Sequence, residues 1–139
     1  MAQIRTGRCL CGAVHFEIRG DLGPFAYCHC TSCRRASGSA FAANAPVRAE
    51  QVSWPAGRDS IGEFESSPGK FRAFCRGCGS PIYARRVAAP ELLSMRLGLI
   101  AEDPGQRAQA HFNVSEKAAW YPVTDDLPQH TGDTPEETD

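Results

Sequence analysis

The chain has 139 residues, 42% of them hydrophobic and 22% charged, and a formal net charge of −1. This length suits a single domain, and the composition excludes a disordered or fibrous protein. No run of about 18 apolar residues is available to cross a bilayer, and the N-terminus lacks the apolar region of a secretory signal. We therefore expect one folded domain in the cytoplasm, with no membrane partner.

The charge is distributed unevenly along the chain. Six of the 16 acidic residues, but no Lys or Arg, follow residue 124. We interpret residues 125–139 as an acidic C-terminal tail and expect its final ten residues, 130–139, to be disordered. Residues 1–124 then form the folded domain, with an excess of basic groups. Thirteen of its 15 basic residues are arginine, a side chain suited to binding carboxylates or phosphates.

Apolar residues recur with the spacing of β-strands. The first example is Val14, Phe16 and Ile18, which alternate with polar residues. Further strands are predicted at 71–74, 81–86, 93–100 and 110–114, where aromatic and aliphatic residues are concentrated. The protein is therefore expected to be mainly β.

Helix signals are sparse, because 13 glycines and 10 prolines interrupt the chain. Only the run TSCRRAS at 31–37 predicts one or two helical turns, with Thr31 or Ser32 as the N-cap. No internal repeat of solenoid length is present. The helix directly follows a group of cysteines, so it bears on the chemistry as well as on the fold.

The seven cysteines fall into three tight clusters. These are Cys9 with Cys11, Cys28 with Cys30 and Cys33, and Cys75 with Cys78. Cytoplasmic thiols stay reduced and an odd number cannot all pair in intramolecular disulfides, so metal binding is the leading explanation. A CxxC turn directs both sulfurs to one centre, and a CxC pair on an extended segment does the same. We expect the metal to be Zn²⁺.

Two partitions of these thiols agree with the spacing. In the first, a closed structural site takes Cys9, Cys11, Cys75 and Cys78, and an open site takes Cys28, Cys30 and Cys33. In the second, Cys30, Cys33, Cys75 and Cys78 form a zinc ribbon, leaving Cys9, Cys11, Cys28 and His29 for another site. Either partition places two zinc ions in the chain. Spacing alone does not decide between them.

The residues around the cysteines form a longer pattern. It includes GRCLCGAV at 7–14, CHCTSCRRASG at 28–38 and FCRGCG at 74–79, followed by HFNVSEKAAWY at 111–121 and DDLPQH at 125–130. These motifs resemble the glutathione-dependent formaldehyde-activating enzyme family, which also includes centromere protein V. The resemblance extends over roughly residues 5–130 and involves all seven cysteines.

The resemblance implies a fold, two zinc sites and an activity. The implied fold is a single, mainly β domain of the Mss4-like (β-tent) type. The implied structural zinc is held by Cys9, Cys11, Cys75 and Cys78, and the implied open zinc by Cys28, Cys30 and Cys33, beside a thiol-binding site. The implied activity is that of a carbon-sulfur lyase, which forms or cleaves the adduct of a small thiol such as glutathione with an aldehyde such as formaldehyde. A zinc with three protein ligands keeps one position for such a thiol, which would lose its proton on binding.

A few polar residues near the cysteines are candidates for the site. Arg34 and Arg35 follow the third cysteine of the open set and are possible anchors for the carboxylate of a glutathione-like thiol. His29 alternates with two ligands, so we expect its side chain to pack or to form hydrogen bonds. His111 and Lys117 match the family, and we interpret both as structural. No residue is assigned as catalytic.

The sequence also bears on three other function classes. The alternative function is a non-catalytic, zinc-stabilised binding module of the Mss4-like type. A nucleic-acid-binding zinc ribbon is opposed by the acidic tail and by the lack of interleaved aromatic and basic residues. A CxxC thiol oxidoreductase is opposed by the lack of a βαβ pattern around either CxxC pair.

Overall fold

The computed structural model describes residues 2–133, which form ten β-strands and one α-helix. The strands are β1 (Ile4–Arg8), β2 (His15–Arg19), β3 (Tyr27–Cys28), β4 (Ala42–Arg48), β5 (Val52–Ala56), β6 (Ile61–Ser67), β7 (Lys70–Cys75), β8 (Pro81–Arg86), β9 (Leu92–Arg96) and β10 (His111–Phe112). The helix α1 spans Thr31–Ser37, and short 3₁₀ turns lie at Ala49–Gln51, Arg58–Ser60, Leu97–Leu99 and Val114–Glu116. The protein is thus mainly β, as expected. No helix in residues 2–133 is long and apolar enough to span a membrane.

The strands form two sheets that share one core. The smaller sheet has the order β1-β2-β5, and the larger has the order β10-β3-β4-β9-β8-β7-β6. Neighbouring strands are antiparallel except for β3 and β10. Phe16 and Ile18 from the smaller sheet are fully buried in one cluster with Ile82 and Met95 from the larger. Burial of these apolar side chains holds the two sheets together.

Several predicted strands are confirmed, and two are shorter than predicted. β2, β7 and β8 lie where the sequence places them, whereas the segment predicted at 93–100 leaves the strand after Arg96 and enters a 3₁₀ turn. The ladder between β4 and β9 ends there, since Arg96 pairs with Asn44 near the start of β4. The strand predicted at 110–114 contains only His111 and Phe112, because Asn113 has a φ of 58° and leaves the extended conformation.

The pairing register gives the larger sheet two different faces. Alternate residues of a strand point to opposite sides, so one face carries the buried apolar residues of the core. The other face, which we call the cationic face, carries Cys28 on β3, Ala42 and Asn44 on β4, Ser94 and Arg96 on β9, Ala84 and Arg86 on β8, and Lys70 and Arg72 on β7. One cysteine of the candidate open site therefore shares a sheet face with four basic side chains.

The chain beyond residue 124 returns to the domain beside β10. The amide of His111 donates to the carbonyl of Pro128, and the amide of His130 donates to the carbonyl of His111, each at 2.8 Å. Residues 130–132 also hydrogen-bond to the domain, and residues 134–139 lie outside the described residues. The disorder expected for residues 130–139 and the boundary between residues 124 and 125 stay predictions.

Candidate metal centres and thiol site

Four cysteines meet where the end of β1 approaches the turn between β7 and β8. The sulfurs of Cys9, Cys11, Cys75 and Cys78 all lie within 4.8 Å of one another. The sulfur of Cys11 is 3.6 Å from that of Cys9 and 3.8 Å from that of Cys75, and all are free thiols. Zn–S bonds of about 2.3 Å in a tetrahedron hold sulfurs about 3.8 Å apart. This four-cysteine cluster therefore fits a closed zinc site.

Tight turns shape the four-cysteine cluster. Gly12 and Gly79 follow the two cysteine pairs with φ values of 80° and 78°, a left-handed conformation that glycine adopts without a steric penalty.

Hydrogen bonding with Ser80, first through its hydroxyl and then through its amide, lowers the pKa of Cys78 to about 5. These surroundings favour the thiolate, which is the form that binds metal.

The other three cysteines form a second cluster at the start of α1. The sulfurs of Cys28, Cys30 and Cys33 also lie within 4.8 Å of one another. Cys30 is the N-cap, because its sulfur accepts the amide hydrogen of Cys33 at an N–S distance of 3.3 Å. The prediction of Thr31 or Ser32 as the cap is therefore wrong. Within residues 2–133 these two clusters are the candidate metal sites found, and the zinc-ribbon grouping is not among them.

The surroundings of the three-cysteine cluster stabilise negative charge on sulfur. Both terminal nitrogens of Arg72 lie 3.8 Å from the sulfur of Cys33, and the amide of Asn113 donates to Cys28 at 3.3 Å. The pKa of Cys33 is lowered to about 5, first by its hydrogen bond with Cys28 and further by Cys30 and Arg72, against the opposing effect of burial. The pKa of Cys28 is raised, first by the same bond and then by burial. A compact, sulfur-only donor set of this kind suits zinc.

A cavity of about 340 Å³ lies beside the three sulfurs. Besides the cysteines, its polar lining consists of Asn44, Lys70, Arg86, Asn113 and Asp133. The side-chain oxygen of Asn44 is buried and has no hydrogen-bond partner within residues 2–133. Pockets of about 300 Å³ or more accommodate small molecules. The three-cysteine cluster thus faces a space suited to a small polar ligand.

Lys70 and Arg86 place two positive charges together at this cavity. They are directly paired across β7 and β8, a position at which like charges repel. Within the described residues neither side chain forms an ion pair, not even with the carboxylate of Asp133, which lines the same cavity. The pKa of Lys70 is lowered, first by burial and then by Arg72. A bound anion would relieve this repulsion.

A hydrogen-bonded chain of two buried histidines and an exposed carboxylate lies behind the three-cysteine cluster. Nε2 of His29 is 2.7 Å from Nδ1 of His111, and Nε2 of His111 is 2.9 and 3.1 Å from the carboxylate oxygens of Asp125. Both histidines are fully buried. Since a carboxylate only accepts, His111 donates to Asp125, and a neutral His111 then accepts from His29. The pKa of His29 is lowered, chiefly by burial, and that of Asp125 is lowered, chiefly by His111.

The contacts of His29 and Lys117 can be compared with the roles expected from the sequence. His29 forms a hydrogen bond and packs between aromatic rings, as expected. Lys117 donates to the carbonyls of Ala118 and Tyr121 at 3.0 and 2.6 Å, a structural contact. Asp125, which lies in the predicted acidic tail, accepts a hydrogen bond from His111.

The two arginines of α1, Arg34 and Arg35, lie outside the cavity beside the three-cysteine cluster. Arg34 donates to the carbonyl of Glu116 at 2.9 Å, and Arg35 is exposed. Neither lines the cavity beside the three-cysteine cluster, so their role as carboxylate anchors stays a prediction. Lys70 and Arg86 line this cavity instead. A sequence signal was available for Lys70, because basic residues alternate with apolar ones in KFRAF at 70–74.

The fold and the two clusters define a class: a mainly β protein with one closed cysteine site and one cysteine site that faces a cavity. The family described as glutathione-dependent formaldehyde-activating enzyme matches residues 4–116, which is most of the chain. The protein belongs to this family. The resemblance read from the sequence motifs is confirmed, as is the Mss4-like, mainly β fold.

Individual proteins are also similar to the chain. An uncharacterized lyase of Schizosaccharomyces pombe is 32% identical over 77 residues, covering 55% of this chain and 54% of the relative. The chain thus spans about half the length of this curated relative. A crystal structure of a Rhodobacter sphaeroides protein matches with a TM-score of 0.58 and 24% identity, covering 74% of this chain and 97% of that chain. This second likeness supports the fold alone.

Proposed function

We propose that the protein is a zinc-dependent carbon-sulfur lyase, which forms or cleaves the adduct of a small acidic thiol with an aldehyde. The observation that carries the proposal is the three-cysteine cluster beside a cavity lined by the opposed Lys70–Arg86 pair. The family and the lyase name of the relative support the reaction class. Glutathione and formaldehyde, named by the family, are the first substrates to examine.

The ligands of the proposed open zinc are Cys28, Cys30 and Cys33, and those of the proposed structural zinc are Cys9, Cys11, Cys75 and Cys78. A zinc with three thiolate ligands retains one position for a further ligand and favours sulfur there, where it lowers the pKa of a thiol. The protein would thereby supply a thiolate nucleophile at neutral pH.

The remaining residues of the site stabilise the cysteine ligands or bind the thiol substrate. Arg72 offsets the negative charge on Cys33, and Asn113 orients the sulfur of Cys28. Lys70 and Arg86 bind a carboxylate of the thiol through charge-assisted hydrogen bonds. Their position on the cationic face fixes the direction in which the thiol extends from the cysteines.

The chemistry proceeds without a redox step. The sulfur of the thiol attacks the carbonyl carbon of the aldehyde, a C–S bond forms and the π bond of the carbonyl breaks. The proton that leaves the thiol ends on the carbonyl oxygen, which gives an S-hydroxyalkyl adduct. The reverse sequence cleaves the C–S bond and releases thiol and aldehyde.

The proposal is tested by NMR exchange spectroscopy of glutathione with formaldehyde, and of further acidic thiols and aldehydes. Wild-type protein should accelerate exchange, and Cys33→Ser, once its fold is verified by circular dichroism, should lose most of the acceleration. Ser32→Ala, a change at the adjacent exposed residue, is the matched control and should behave as wild type. Unchanged exchange rates with wild-type protein across all pairs would refute catalysis and favour the non-catalytic binding module.

A further inference from the structure

A second, apolar cavity adjoins the cavity of the three-cysteine cluster. It has a volume of about 330 Å³, and we call it the apolar hollow. Its apolar lining is Pro24, Phe25, Ala26, Ala110, Phe112 and Pro128, and its polar lining is Gln109 and His130. The ring of Phe112 lies 5.5 Å from that of His130. The hollow is therefore bounded mainly by hydrocarbon and rings.

Ala26 and Phe112 line both cavities, so the two adjoin at these residues. Phe112 is paired with Cys28 across β10 and β3, which places this shared border next to the residue that carries one of the three sulfurs. The hollow thus lies directly beside the proposed thiol site.

The order of strands places the hollow and the cation pair on opposite sides of the cysteines. β10 and β3 lie at one edge of the larger sheet, whereas β8 and β7 lie towards the other edge. A thiol whose carboxylate is bound by Lys70 and Arg86 must therefore extend away from Phe112. The substituent on the carbon attached to sulfur is then left to point towards the hollow.

We propose that the aldehyde substrate carries an apolar substituent of several carbons, which binds in the apolar hollow against Phe112. Formaldehyde has no such substituent and would leave the hollow unfilled. This inference rests on the proposed function, because it names the aldehyde of that reaction. The bonds made and broken are the same, since only the group on the carbonyl carbon differs.

The wild-type protein provides the first test. The acceleration of adduct exchange with glutathione is measured for formaldehyde, butanal and phenylacetaldehyde by NMR exchange spectroscopy. We expect the acceleration, taken relative to the uncatalysed exchange of the same aldehyde, to be about tenfold or more greater for the two larger aldehydes than for formaldehyde, since apolar groups in a fitted pocket contribute on this scale. Acceleration with formaldehyde but not with the larger aldehydes would overturn the inference and leave the proposed function intact. No acceleration with any aldehyde would overturn both.

A substitution inside the apolar hollow provides the second test. Ala110 lines the hollow but not the cavity of the three-cysteine cluster. Ala110→Leu fills part of the hollow, and it should lower kcat/KM for phenylacetaldehyde about tenfold while changing that for formaldehyde by less than about twofold. Ala101→Leu, at an exposed alanine outside both cavities, is the matched control and should leave both values unchanged. An equal loss for both aldehydes in a folded Ala110→Leu variant would show that the hollow does not hold the substituent.

Discussion

Lys70 and Arg86 are the two residues to which we assign the proposed selectivity for acidic thiols. Both line the cavity of the three-cysteine cluster, and they face each other across two strands without an ion pair in residues 2–133. Two like charges at such a position disfavour folding slightly. A ligand that carries a carboxylate converts this repulsion into a binding contribution, because the anion is attracted to both groups.

The charge of this pair can be removed one group at a time. Lys70→Gln and Arg86→Gln should each raise KM for glutathione and mercaptosuccinate about tenfold, the scale of one hydrogen bond to a charged group. The KM for 2-mercaptoethanol, which has no carboxylate, should change little. Arg19→Gln, which removes one exposed charge from the smaller sheet, is the control. Equal increases in KM for acidic and neutral thiols would contradict carboxylate binding by Lys70 and Arg86. The same measurement on Arg35→Gln tests one of the two arginines that the sequence suggested as carboxylate anchors.

Asp125 contributes to stability through His111. Asp125→Ala leaves the buried Nε2–H of His111 without its carboxylate acceptor, and we expect a measurable decrease in the free energy of unfolding. Asp126→Ala, at the neighbouring exposed acid, should change stability by less than about 0.5 kcal/mol. Urea unfolding of the zinc-loaded proteins measures both. Equal stabilities of the two variants would mean that the His29–His111–Asp125 chain adds nothing.

At the scale of elements, sequence patterns predict only part of the fold. β2 was predicted because its apolar residues alternate with polar ones, and β8 because aromatic and aliphatic residues are concentrated in it. Strands β1, β3, β4, β5 and β6 were missed, since their sequences are short or mix alanine, glycine, proline and polar residues with few large apolar ones. The cysteine motifs predicted which thiols come together, but the cavity beside Cys28 depends on pairing between distant strands. Such long-range register cannot be read from local spacing.

Gly57 links β5 to the next 3₁₀ turn in a way that no other residue type permits. Its φ is 81°, and a Cβ atom there would meet the backbone of Ala13 and Val14 at under 3 Å. Gly57→Ala should therefore lower the free energy of unfolding by at least about 2 kcal/mol. Gly98→Ala, where a Cβ atom would have open space and φ is not positive, should change it by less than about 1 kcal/mol. Thermal unfolding of both variants measures the difference, and equal melting temperatures would contradict the backbone clash.

At the scale of the whole molecule, the four-cysteine cluster joins two parts of the chain that are far apart in sequence. Cys9 and Cys11 follow β1 of the smaller sheet, whereas Cys75 and Cys78 belong to the hairpin of β7 and β8 in the larger one. A metal ion bound there would cross-link the two sheets at one end of the core. The three-cysteine cluster, in contrast, joins β3 to the start of α1 within a single short segment. The two clusters should therefore differ in their influence on folding.

We accordingly expect two zinc ions per chain, with unequal roles. Chelation should remove the zinc of the three-cysteine cluster first, because that cluster faces a cavity and supplies three ligands instead of four. Removal of the second zinc should unfold the domain, since a structural zinc contributes about 10 kcal/mol or more in small zinc-binding peptides. Release is followed with a chromogenic chelator, and folding with circular dichroism on the same sample. In agreement with this order, Cys9→Ser should prevent stable folding, whereas Cys30→Ser should leave a folded protein with one zinc. The opposite result for the two variants would favour the zinc-ribbon partition, because Cys30 would then belong to the metal site on which the fold depends.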